Sequence, residues 1–148
     1  MKTYFLPIAL LTLILGSCSL GEPKCDEVFV TTVPLDYLRR SCDLGGVDKD
    51  ADEVVVVIRN QADLNRHIQC ESLRININFE ESFLIAGKIR SYDCGYLAEQ
   101  NTVLDCGRLV HKVLVQSEDC QAITVVPFLV VIPRSLVDYE VSLKVDYL

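Results

Sequence analysis

Leu109-Val110-His111-Lys112-Val113-Leu114-Val115 sets Leu109, His111, Val113 and Val115 on one face of an extended chain, with Val110, Lys112 and Leu114 on the other. Side chains alternate across a strand with a period of two, so the stretch predicts a β-strand with one face turned to a core. Outward from it the same signature recurs. Ala122 to Ile132 is dense in β-forming residues, and Val54-Val55-Val56-Val57-Ile58 is a continuous apolar run best explained as a strand buried on both faces. Ser82 to Ile89 is apolar with Gly87 inside it, which reads as a strand with a bulge or bend.

The rest of the chain fits the same class. Tyr96 to Val103 predicts a strand, Gln116 to Cys120 the turn before the next one, and Val137 to Val145 a closing strand. Leu73, Ile75, Ile77 and Phe79 alternate with polar residues as in a strand with one wet face, and Val28 to Val33 is a β-branched run. Pro127 and Pro133 confine the Ala122 to Ile132 strand to an edge, a bend or a bulge, since neither donates to a ladder. Asn60 is placed to cap a short helix over Gln61 to Ile68, whose Leu64 and Ile68 form one apolar stripe. Asp36 to Arg40 allows a further helical turn. The fold class is therefore mainly β, an antiparallel β-sandwich or barrel-like sheet with one short helix.

The first residues belong to targeting rather than to this fold. Lys2 precedes an apolar run from Leu6 to Leu15, shorter than the roughly 20 residues a membrane span needs. The run closes on Leu15-Gly16-Ser17-Cys18, a lipobox pattern with small residues before a cysteine whose thiol carries lipid, palmitate included. Residues 1 to 17 are expected to be a removed signal peptide, residues 18 to 26 the lipidated N-terminus and a flexible tether, and residues 27 to 148 a single β-rich domain. The expected address is the cell envelope, anchored by Cys18 in the outer membrane, on its periplasmic or surface face, in preference to the inner membrane. Acyl chains contribute about 0.8 kcal/mol per buried CH2, so several hold a domain on a bilayer.

Composition narrows the partners. The chain has 21 acidic and 14 basic residues and a formal charge of -7. Phosphate-backbone binding needs the opposite balance, which argues against nucleic acid. Besides Cys18 there are Cys25, Cys42, Cys70, Cys94, Cys106 and Cys120, an even set that in an exported protein reads as up to three structural disulfides, with the pairing left open by the spacing. Asp93-Cys94-Gly95 and Asp105-Cys106-Gly107 repeat one tripeptide, suggesting two turns that carry cysteines. A redox pair would normally be Cys-x-x-Cys, which is missing from the sequence.

Chemistry is scarce. His67 and His111 are the two imidazoles; there is no Gly-x-Ser-x-Gly elbow and no His-Glu-x-x-His. His111 sits in a strand pattern and reads as a core or cross-strand residue. His67-x2-Cys70 lacks the second close pair of a zinc site and reads as a helix-end histidine near a structural cysteine. The Asp43 to Asp52 stretch has Gly45-Gly46 and four aspartates, but Asp48-Lys49-Asp50-Ala51-Asp52 lacks the glycine that follows in a calcium loop, so it reads as an exposed loop. Glu80 and Glu81, adjacent in sequence, are poor candidates for paired catalytic carboxylates. No metal, cofactor or catalytic residue is assigned, and the domain is read as non-enzymatic.

The segments Phe83-Leu84-Ile85-Ala86-Gly87-Lys88, Cys94-Gly95-Tyr96, Ala122-Ile123-Thr124-Val125-Val126-Pro127-Phe128 and Val130-Val131-Ile132-Pro133-Arg134 come in an order that resembles the C-terminal domain of PrcB-type protease-complex lipoproteins of Bacteroides-type bacteria. The resemblance spans about Val54 to Arg134 and rests on framework motifs. The family pattern has two glycines before the tyrosine, and Cys94 occupies the first of those places. The resemblance implies a lipid-tethered domain that binds another envelope protein, with association to a protease among the functions it suggests. It carries no catalytic residues. A protease inhibitor, or an enzyme acting on envelope polymers, are the rival readings.

Overall fold

The computed structural model describes residues 25–34, 42–70 and 76–148. Residues 1–17, Cys18 and the Asp36 to Arg40 segment lie outside them. The described chain is mainly β with one α-helix. Its strands are β1 (Val28–Phe29), β2 (Val33–Pro34), β3 (Cys42–Leu44), β4 (Glu53–Ile58), β5 (Ile68–Cys70), β6 (Ser82–Ser91), β7 (Tyr96–Asp105), β8 (Arg108–Gln116), β9 (Thr124–Pro133) and β10 (Glu140–Tyr147). Helix α1 (Gln61–His67) follows β4. No helix among the described residues is long and apolar enough to cross a membrane.

Two four-stranded sheets, ordered β1-β7-β8-β10 and β2-β9-β6-β4, face each other across a core. β8 contributes Leu109, Val113 and Val115 from its inward face, while β6 and β9 contribute Phe83, Ile85, Ile89, Phe128, Val130 and Ile132. The period-two reading of Leu109 to Val115 holds along its full length, with every odd-numbered residue buried. β4 meets apolar residues on both faces, but as an edge strand it leaves Val54 to Val57 half-buried and only Ile58 fully buried. Val55 and Val57 pack toward the facing sheet, and Val56 and Ile58 toward a second core on the other side.

That second core explains the helix. Leu64 and Ile68, with Cys42, close over Ile58, Leu84, Ala86 and Leu129, so α1 and the two-stranded β3–β5 sheet cover the outer face of the second sheet. Asn60 caps α1 by accepting the Asp63 N–H at 2.8 Å, while its own amide donates to the Asp63 carboxylate at 2.8 Å. Because both faces of the sheet are covered, β6 is buried at seven consecutive positions, Phe83 through Ile89.

Several expectations need correction. The β-branched run Val28 to Val33 is divided between two strands, β1 pairing with β7 and β2 with β9, so the chain crosses between sheets at residues 30–32. Leu73 and Ile75 fall outside the described residues, and Ile77 and Phe79 are not in a strand. Asn78 gathers a turn there, accepting the Glu80 N–H on its side chain and the Ser82 N–H on its carbonyl, and Ile77 and Phe79 pack onto the second core. Gly87 marks no bulge. A Cβ there would run into the Phe128 ring and the Val54 carbonyl, so glycine is required by close packing. The bulge falls instead in β7, between Leu97 and Glu99.

β9 lies inside its sheet, between β2 and β6, despite its two prolines. The Arg134 N–H donates to the Glu81 carbonyl at 2.8 Å, which fixes the ladder's phase. By alternation, Pro127 and Pro133, opposite Lys88 and Ser82, fall at positions where the missing N–H points away from β6. On that far side β2 reaches only Val130 and Val131. The sheets are not wholly antiparallel either: β10 runs parallel to β8, because the chain passes through β9 in the opposite sheet between them.

Candidate functional site

A cavity of about 640 Å³ lies at the corner where the starts of β7 and β9 meet, beside the β3–β5 sheet. That volume is within the roughly 300–1,000 Å³ of ligand pockets. The corner is tied together locally. The Cys94 N–H donates to the Ala122 carbonyl at 3.0 Å, the Thr124 hydroxyl to the Gly95 carbonyl at 3.0 Å, and the Gly95 N–H to the Ser91 hydroxyl at 3.1 Å. Its walls are apolar at Leu44, Leu97, Val126 and Pro127 and polar at Lys49, Gln69 and Lys88, with Asp43 also contributing.

Lys88 is the unusual member. It projects from β6 onto the outer face of the sheet and is only 9 % exposed. Its ammonium donates to the Lys49 carbonyl at 2.8 Å, and no carboxylate pairs with it among the described residues. A buried ammonium has three donors to satisfy, and one carbonyl answers one of them.

The 48–52 segment positions that carbonyl. As the sequence predicts, it is an exposed loop, and it is also pinned to the end of β6; Asp43 and Leu44, by contrast, belong to β3. Arg90 donates to the Lys49 carbonyl at 3.0 Å and faces Asp50 at 3.8 Å and Asp52 at 4.0 Å, and the Tyr92 hydroxyl donates to Asp52 at 2.7 Å. The aspartates thus answer Arg90 and Tyr92, while Lys88 is left facing the cavity.

The cysteines form structural links. Cys25 is bonded to Cys106 and Cys94 to Cys120, with Cα atoms 5.3 and 5.7 Å apart. Cys42 is also disulfide-bonded, and the strand register sets it opposite Cys70. The two Asp-Cys-Gly tripeptides are turns as expected, with Cys94 at φ 50° and Cys106 at φ 45°. Cys106 and Gly107, both at positive φ, make the two-residue β7–β8 hairpin turn. Cys25, Asp105 and Cys106 lie close together, but both sulfurs are committed to their bond, so the group offers no thiolate to a metal.

Neither histidine reaches the cavity wall. His67 closes α1 with Nδ1 3.2 Å from the Gly45 carbonyl, the helix-end role expected of it. His111 is fully buried in the main core, its Nδ1 2.9 Å from the Thr102 hydroxyl and its ring 5.0 Å from that of Phe128. Burial holds its imidazole down at about pKa 4. Glu80 is exposed in the turn before β6. Sequence reasoning missed Lys88 and Lys49 as site residues; a lone lysine inside the apolar run Phe83 to Ile89 was the available signal. No family model, curated protein or solved structure matches the chain.

Proposed function

We propose that this chain is a lipid-anchored, non-catalytic envelope domain that binds another envelope protein through the corner bearing the cavity. The observation that supports it most is the state of β9. On the side away from β6, no described strand pairs with Thr124 through Leu129, and exposed Ile123 and Val125 lie at this end of the strand. On that side Pro127 offers a carbonyl and no N–H, so the backbone donors that face an added strand are those of Val125 and Leu129, and the stretch borders a cavity with charged and apolar walls. The anchor rests on the Gly16-Ser17-Cys18 pattern, and a protease-complex subunit is the partner that the sequence resemblance suggests.

The test is a gentle pull-down of the tagged lipoprotein from envelope extract of its own organism, beside a Cys18→Ala variant. Stoichiometric recovery of one envelope protein, with the variant shifted out of the membrane fraction, is the expected result. Recovery of general envelope material alone would remove the support for partner binding, and an unshifted Cys18→Ala would remove the anchor.

A further inference from the structure

Resting on the partner-binding reading above, we propose that the corner cavity captures the C-terminal carboxylate of the partner's chain, with Lys88 as its counter-ion and an apolar final residue against Leu44, Leu97 and Pro127. Three observations converge on it. First, Lys88 is buried on the cavity wall with a carbonyl, not a carboxylate, as its recorded partner. Taking an ammonium out of water is costly unless an opposite charge meets it, and a carboxylate supplies both that charge and acceptors for the other donors.

Second, the local charge runs against the molecule as a whole. The chain has 21 acidic and 14 basic residues, yet Lys49 and Lys88 line the cavity against one acid, Asp43. The neighbouring Asp50 and Asp52 are drawn off by Arg90. An anion is the ligand such a wall selects, and Gln69 adds an amide donor.

Third, the cavity borders backbone that can hold a peptide. Val125, Val126 and Pro127 line it in the stretch of β9 that β2 does not reach, where Val125 presents its N–H and carbonyl away from β6 and Pro127 a carbonyl alone. An extended chain entering there would align on the β9 edge and end at Lys88, combining strand addition with terminal carboxylate capture. A carboxylate with no peptide behind it would use only part of this surface.

The experiment uses the detergent-solubilised full chain and two soluble pools of random heptapeptides, one with free C-terminal carboxylates and one C-terminally amidated, with retained peptides read by mass spectrometry. Retention of free-acid peptides ending in an apolar residue is expected, with amidation weakening each by about tenfold or more. Lys88→Met should abolish retention and Lys88→Arg preserve most of it. Lys49→Ala, at an exposed position, should weaken it a few-fold and serves where Lys88→Met fails to fold. No retained peptide, or equal retention of amidated peptides, would overturn the proposal. Either of those results alongside a successful envelope pull-down would leave partner binding standing and remove carboxylate capture alone.

Discussion

His111 titrates far from its ordinary range because it is buried among apolar side chains, and that makes it a source of pH dependence. Folded, its pKa is lowered from 6.5 to about 4. The unfolded chain takes up the proton first as pH falls, so the unfolded state binds more protons between those values and stability declines through that window. From pH 7 to pH 5 the loss is about 2 kcal/mol, read from urea unfolding. His111→Leu should flatten that slope. It also removes Nε2, a buried nitrogen without a hydrogen-bond partner among the described residues, although the Thr102 hydroxyl loses its partner Nδ1. A slope unchanged by the substitution would mean that carboxylates, not His111, set the pH response. At Gly87 the constraint is steric. Gly87→Ala should cost about 2 kcal/mol or more, since the new Cβ meets both a ring and a backbone carbonyl that cannot swing aside.

Among the elements, α1 has the most readable origin and an easily tested cap. Asn60→Ala should destabilise the fold by about 1 kcal/mol, measured by thermal or chemical unfolding, because it removes the acceptor for the Asp63 N–H. This helix, β4 and β8 were legible in the sequence because each carries its own periodicity or cap within a few residues. Other elements were not. The parallel partner of β10 depends on the chain passing through the opposite sheet, and nothing local to Glu140–Tyr147 records that. Pro127 and Pro133 correctly signalled an unpaired side, but the strand itself is internal, because a two-residue partner leaves most of its flank open. The site was the least legible part. Lys88 left one local mark, a lysine inside the apolar run Phe83 to Ile89, but the carbonyl that meets its ammonium comes from a residue 39 positions away, and a contact of that range leaves no pattern of its own.

At the scale of the whole molecule, disulfides join segments distant in sequence at its turns. Cys25–Cys106 spans 81 residues and fastens the segment before β1 to the β7–β8 hairpin; Cys94–Cys120 spans 26 and braces the corner beside the cavity. By loop closure the first should stabilise by about 4 to 5 kcal/mol and the second by about 3 to 4 kcal/mol. Non-reducing peptide mapping should recover both pairs. A Cys25→Ser, Cys106→Ser double variant should lose more stability than Cys94→Ser with Cys120→Ser, yet retain the peptide binding that the second double variant weakens. The opposite order would place the binding surface away from the Cys94 corner.

Partner binding through the β9 corner is tested most directly inside the cell, by a photo-crosslinking amino acid placed singly at Val125, at Tyr96, or at Lys144 on β10. A discrete adduct to one envelope protein from Val125 and Tyr96, with none from Lys144, is the predicted result. Adducts of equal yield from all three positions, or none from any, would contradict it.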